Sequence, residues 1–158
     1  MSEQPQQLKP FSSESIKLIK QQHSHHPYIL LLWSIDCPPC YTELQQIGNS
    51  DQSLIDFIII TTDDISRAKE AEEILNEFKI SSKSQWIFAN ESKEKLTYSI
   101  DPQWRGELPR SYLYNGNELK DSHSGILTND KLKEWIQKND NSTSKKSIKY
   151  ARASSPKL

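Results

Sequence analysis

YILLLWSIDCPPCYTELQQIGN, residues 28–49, decides how this chain folds. It opens with six consecutive apolar residues, Tyr28 to Trp33, passes through Cys37-Pro38-Pro39-Cys40, and closes on Gly48-Asn49. The run His23-Ser24-His25-His26-Pro27 ahead of it is a turn. A short apolar run bounded by turn signals reads as a buried central strand. Leu44 and Ile47 carry a helical apolar spacing, and Gly48-Asn49 ends that segment as a helix C-terminus does. A second apolar run, Leu54 to Thr62, is rich in the β-branched residues that suit a pleated surface. Strand, helix, strand is the pattern of a parallel βαβ unit.

Working outward, residues 1–10 are polar and rich in Gln and Pro, which predicts a flexible arm. Ser12 and Ser13 are cap candidates for a short helix through Phe11, Ile16, Leu18 and Ile19. Downstream, Ile65, Ala68, Ala71, Ile74, Leu75 and Phe78 stand at helical spacing with charges on the opposite face. Gln85 to Ala89 reads as a third strand and Lys93 to Ile100 as a short helix. Ser111–Asn115 and Glu118–Ser122 flank Asn115-Gly116, a strong two-residue hairpin signal. Thr128 is the N-cap candidate for a last helix, with Leu132, Trp135 and Ile136 on one face, ending near Lys138. Residues 140–158 are Ser- and Lys-rich and read as a basic, disordered tail, leaving one domain over residues 11–139.

Charge and hydropathy exclude several classes of partner. Lys plus Arg number 20 against 21 Asp plus Glu, a net charge of -1, so no general field draws nucleic acid or anionic membranes. The longest apolar run falls far short of the roughly 20 residues that span a bilayer, and MSEQPQQLKP holds no signal-peptide core. Read as beginning at its natural start, the chain is soluble and cytoplasmic, where structural disulfides are rare. A chain trimmed of a leader would belong instead to the periplasm or envelope.

Two cysteines three positions apart, the only two in the sequence, then need a reason. A structural disulfide over so short a loop stabilises by only about 2 kcal/mol. A zinc or copper site would need further ligands from His23, His25, His26 or His123, in an order unlike the familiar zinc fingers. His25 and His26 lie at the start of the first core strand and read as surface residues. A reactive pair explains the placement better. If the strand ends at Trp33 and the helix begins at Pro38, Cys37 is the N-cap, where unpaired amides and the helix dipole favour a thiolate. Proline at the first helical positions costs no ladder bond. Cys40, one turn on, is placed to attack a mixed disulfide formed at Cys37.

A strand ending in Trp, CPPC opening a helix, and a distant Leu108-Pro109 before a hairpin resemble the thioredoxin superfamily. Within it, CPPCYTEL and DPQWRGELPRSYLYNG resemble the TlpA/ResA-like thiol-disulfide oxidoreductases, over roughly residues 10–138. The resemblance implies a thioredoxin-like α/β fold: a mixed central sheet with helices on both faces and a C-terminal antiparallel hairpin. It implies Cys37 as nucleophile and Cys40 as resolving cysteine, with a cis Pro109 facing the sulfurs and Leu108 offering its backbone to an extended substrate strand. Glu43 matches the family's acidic residue, which accepts or relays a proton, against the plainer reading of a solvated carboxylate. Trp33 and Asp36 complete the surroundings of the substrate, although Trp33, matching the family's core tryptophan, reads chiefly as packing.

Two departures stand out. The buried Asp of many thioredoxins is Leu31 here, and the Trp usually preceding the first cysteine is Asp36. A carboxylate beside a thiol disfavours the thiolate, so the pair is expected to lean toward reductant. The implied partners are protein thiols or disulfides and a recycling reductant or oxidant. No cofactor or metal is needed beyond the Cys37–Cys40 disulfide itself. The competing readings are a module holding zinc or copper through the thiols, and a thioredoxin-fold adaptor without turnover.

Overall fold

The computed structural model describes residues 8–138. The elements are β1 (Lys9–Phe11), α1 (Ser15–Gln22), β2 (Pro27–Trp33), α2 (Pro38–Gly48), β3 (Asp56–Thr61), a 3-10 turn (Ile65–Arg67) running into α3 (Ala68–Glu77), β4 (Ser84–Phe88), α4 (Lys93–Ile100), β5 (Arg110–Asn115) and β6 (Glu118–Ser124). Two compact units result, one up to Leu127 and one from Thr128 onward. In the second, residues 129–138 are helical, and the Thr128 hydroxyl accepts from the Lys131 amide at 3.1 Å as an N-cap.

Six strands form one sheet in the order β1-β4-β3-β2-β5-β6. β1, β4, β3 and β2 run parallel, and β5 and β6 add the antiparallel pair. β2 is covered on both faces. Its Tyr28, Leu30 and Leu32 join Ile16 and Ile19 of α1 and Leu96 and Ile100 of α4 in one core. Trp33, from the alternate set, meets Tyr41 of α2 edge-on with ring centroids 6.3 Å apart, so α2 covers the other face. Tyr41 in turn stacks on Phe78 at the end of α3. Burial on both faces is why β2 and β3 read as unbroken apolar runs.

The structure corrects the sequence reading at two places. The flexible arm is shorter than expected: Lys9–Phe11 forms β1, pairing with Trp86, Ile87 and Phe88, because Phe11 is an anchor that meets Trp86 edge-on and stacks on Phe88. The hairpin tip is Gly116-Asn117, with Asn115 already paired to Glu118, and Gly116 takes φ +67 where its amide reaches the His26 carbonyl. Residues 1–7, residue 139 and the tail over 140–158 lie outside the described residues. Among the described residues, no helix is long and apolar enough to cross a membrane.

Gly48 ends α2 where that helix crosses the end of α3, and a Cβ there would stand 1.9 Å from the Phe78 carbonyl oxygen. Gly48→Ala must push backbone apart. We expect it to lower stability by about 2 kcal/mol or more, read as a reduced midpoint of urea unfolding at unchanged slope.

Candidate active site

β2 delivers the site. The Trp33 carbonyl still accepts from the Thr62 amide at 2.9 Å, so the ladder to β3 holds to the last residue of the strand. Beyond it the chain leaves the sheet through Ser34, Ile35 and Asp36. Asp63, just past β3, accepts from the Ser34 hydroxyl at 3.1 Å and from the Ile35 amide at 2.8 Å. The Tyr41 hydroxyl donates to the Ile35 carbonyl from the first turn of α2. Asp36 is bound by Arg67, whose Nη1 donates to its Oδ2 at 2.8 Å while Nε and Nη2 both hold Glu70. Each residue of the loop is therefore tied down before the first cysteine.

Cys37 is the N-cap of α2 with an extended backbone, and Pro38 and Pro39 fill the first two helical positions. Cys37 and Cys40 form a disulfide with Cα atoms 5.3 Å apart. The two sulfurs sit differently: Cys37 is part exposed, whereas Cys40 has no exposed surface. An incoming group meets Cys37 first. Opposite the end of β2, Arg110 of β5 pairs with Leu32, which brings Leu108 and Pro109 to the same end of the sheet as the cysteines. The Leu108–Pro109 peptide bond is cis, Pro109 is buried, and the Leu108 side chain packs on the core beneath α1 and α4.

Glu43 lies one turn beyond Cys40 on the inner face of α2 and is 1% exposed. Its Oε1 accepts from the Leu127 amide at 2.7 Å, while Gln46 Nε2 donates to the Leu127 carbonyl at 3.0 Å. Leu127 is thus held through both its amide and its carbonyl by the active-site helix. Oε2 is buried with no partner among the described residues. Burial raises the Glu43 pKa from the usual 4.5 to about 7, against the smaller opposing effect of the Leu127 hydrogen bond. The solvated-carboxylate reading of Glu43 therefore fails.

Two other expected site residues are placed as well. Trp33 has no exposed surface and packs on Tyr41, which fits its reading as chiefly packing. Asp36 is exposed, but the view of it as an uncompensated charge beside Cys37 loses its premise, because Arg67 neutralises it. Sequence reasoning missed Asp63 and Arg67. The doublet Asp63-Asp64 at the end of an apolar run was the one available hint, and nothing local links Arg67 to Asp36. The histidines are engaged elsewhere or lie apart: His23 bonds the Ile19 carbonyl and packs on Tyr28, and His123 bonds the Ile126 carbonyl. Among the described residues, no three His, Cys, Asp or Glu side chains gather as a metal site.

The raised pKa of Glu43 has a thermodynamic sign. The unfolded carboxyl ionises near its usual value and the folded one only near 7, so between those pH values the folded protein holds the extra proton and stability falls as pH rises. Glu43→Gln keeps an acceptor for Leu127 but carries no charge. We expect this variant to lose that pH dependence and to exceed the wild type at pH 8 by up to about 3 kcal/mol, in urea unfolding compared at pH 5 and pH 8.

No family model matches the chain. It is 29% identical over 120 residues to the sporulation thiol-disulfide oxidoreductase A of Bacillus subtilis, a match covering 69% of this chain and 66% of that protein. The chain thus spans just under two thirds of that relative's length. Among solved structures, a thioredoxin-related protein of Neisseria meningitidis serogroup B superposes with a TM-score of 0.61 at 15% identity, covering 77% of this chain and 90% of that one. A secreted disulfide oxidoreductase of Mycobacterium tuberculosis gives 0.55 at 13%, covering 74% and 84%. With CPPC at the N-terminus of the helix after β2, the chain shares the thioredoxin-like fold of these structures.

Proposed function

We propose that the protein is a thiol-disulfide oxidoreductase that exchanges disulfides with other proteins through Cys37 and Cys40. The observation that carries this is the asymmetry of the pair, a part-exposed Cys37 capping a helix and a fully buried Cys40 one turn behind it. The activity in the name of the Bacillus relative supports the same reading.

In the reducing direction, the Cys37 thiolate attacks one sulfur of a substrate disulfide. A Cys37–substrate bond forms, and the other substrate sulfur leaves as a thiolate and takes up a proton. The Cys40 thiolate then attacks the Cys37 sulfur, which closes the internal disulfide and releases the second substrate thiol. Two electrons pass to the substrate, and an external dithiol must return them. Glu43 suits the proton step: buried three residues beyond Cys40 with a pKa near 7, it takes the Cys40 proton as attack begins and returns it in the reverse reaction. Leu108 and Pro109 form the edge against which an extended substrate segment lies. We place this work outside the cytosol, on the likeness to the secreted mycobacterial protein. Trapping of free thiols in fractionated cells tests that placement.

Equilibration of the dithiol against a glutathione or dithiothreitol series tests the activity. The expected result is one reversible two-electron transition, lost in both Cys37→Ser and Cys40→Ser, with Cys37 alkylated first in the reduced protein. A potential near about -270 mV assigns the protein as a reductant, and one well above about -200 mV as an oxidant or isomerase. An irreversible or absent transition would overturn the reading.

A further inference from the structure

Between α4 and β5 the chain runs through DPQWRGELP, residues 101–109, without helix or strand. A loop that must present backbone to another chain has to be held, and the apolar half of the hold is plain. Trp104 is buried in the core beneath α1 and α4, and its Nε1 donates to the Glu107 carbonyl at 2.8 Å. The Pro109 carbonyl accepts from the Gly125 amide at 2.8 Å.

The polar half converges on Arg110. Its Nη1 donates to the Ser124 hydroxyl at 2.6 Å, Nη2 to Asp101 Oδ2 at 3.4 Å, and Nε to the Tyr112 hydroxyl at 3.1 Å. The ring is closed by Ser124 donating to Glu107 Oε2 and Tyr112 donating to Asp101 Oδ2, both at 2.8 Å. The guanidinium also lies over the Tyr112 ring, 4.9 Å from its centroid. One side chain, 15% exposed, thus links both ends of the loop to β5 and β6. A guanidinium drawn so far from water is tolerated only when paired, and here it is paired with the two carboxylates that begin and end the loop. Without it Asp101 and Glu107 are like charges that lose the cation they share, and the bonds from Asp101 to β5 and from Glu107 to β6 lose their centre. Lysine has no fork with which to reach three acceptors at once.

We propose that Arg110 is the positioning residue of the substrate-binding loop, holding the Leu108–Pro109 backbone where an extended segment of a disulfide-bearing protein lies. This rests on the dithiol-exchange reading. It separates two properties that a general loss of structure would move together: affinity for a protein substrate, which needs the loop, and exchange with a small disulfide, which needs only the Cys37–Cys40 pair.

The test is dithiothreitol-driven reduction of insulin by the full chain, beside reduction of glutathione disulfide. Arg110→Met should raise the KM for insulin about tenfold, the factor of one lost charge-assisted hydrogen bond, with kcat, the glutathione rate and the redox potential at wild-type values. Arg110→Lys should fall between. If Arg110→Met does not fold, Ser124→Ala removes one arm of the network and should raise the same KM by a smaller factor. Hydrogen exchange at residues 103–108 should quicken in the same variants. Wild-type KM in both Arg110→Met and Ser124→Ala, equal slowing on insulin and glutathione, or unchanged exchange in the loop would overturn the proposal. A wild-type protein without a reversible dithiol transition would refute the exchange reading instead, and loop exchange would then decide whether Arg110 holds the segment.

Discussion

The double pairing of β2, parallel to β3 and antiparallel to β5, is the constraint on which the rest of the structure depends. A strand hydrogen-bonded on both edges and covered on both faces cannot shift register without turning its side chains from one core into the other. Its last residue is therefore a fixed point. The crossover to β3 must start there, which puts Cys37 at the helix N-terminus, and the antiparallel neighbour must begin there, which brings Pro109 alongside. Two segments some seventy residues apart in sequence meet because both are measured from Trp33.

Around that point the protein keeps two carboxylates in opposite surroundings. Asp36 is in water and paired with a guanidinium, whereas Glu43 is buried with one amide donor and, among the described residues, no partner for its other oxygen. The first is bound by Arg67 and anchors the loop. The second is poised to change its proton near neutrality, because burial works against its ionised form. Their separation follows from the helix: one residue precedes the N-cap and faces solvent, and the other lies two turns in and faces the sheet.

Most of the architecture was legible because its signals are local. The apolar runs at 28–33 and 54–62, the helical spacing at 65–78 and the Asn-Gly hairpin each report their own surroundings, and the CPPC segment reports the helix cap. What the sequence withheld is of another kind. β1 is three residues long with a proline inside it, and its existence depends on Phe11 finding Trp86 and Phe88. Asp63, Arg67 and Arg110 act through partners up to tens of residues away, so neither their spacing nor their type marks them among other charged residues. Glu43 was visible as a candidate, but its burial depends on the Leu127 segment folding across it.

The two open edges of the sheet have a consequence for the protein's behaviour in a crowded solution. β1 is short and carries Pro10, which has no N–H to offer, together with Lys9, while β6 is charged or polar at every position except Leu119. Long, flat, apolar edges are templates on which other chains deposit. Neither edge here is of that sort, so a sheet with a very apolar centre ends on both sides in strands that are poor templates for another chain.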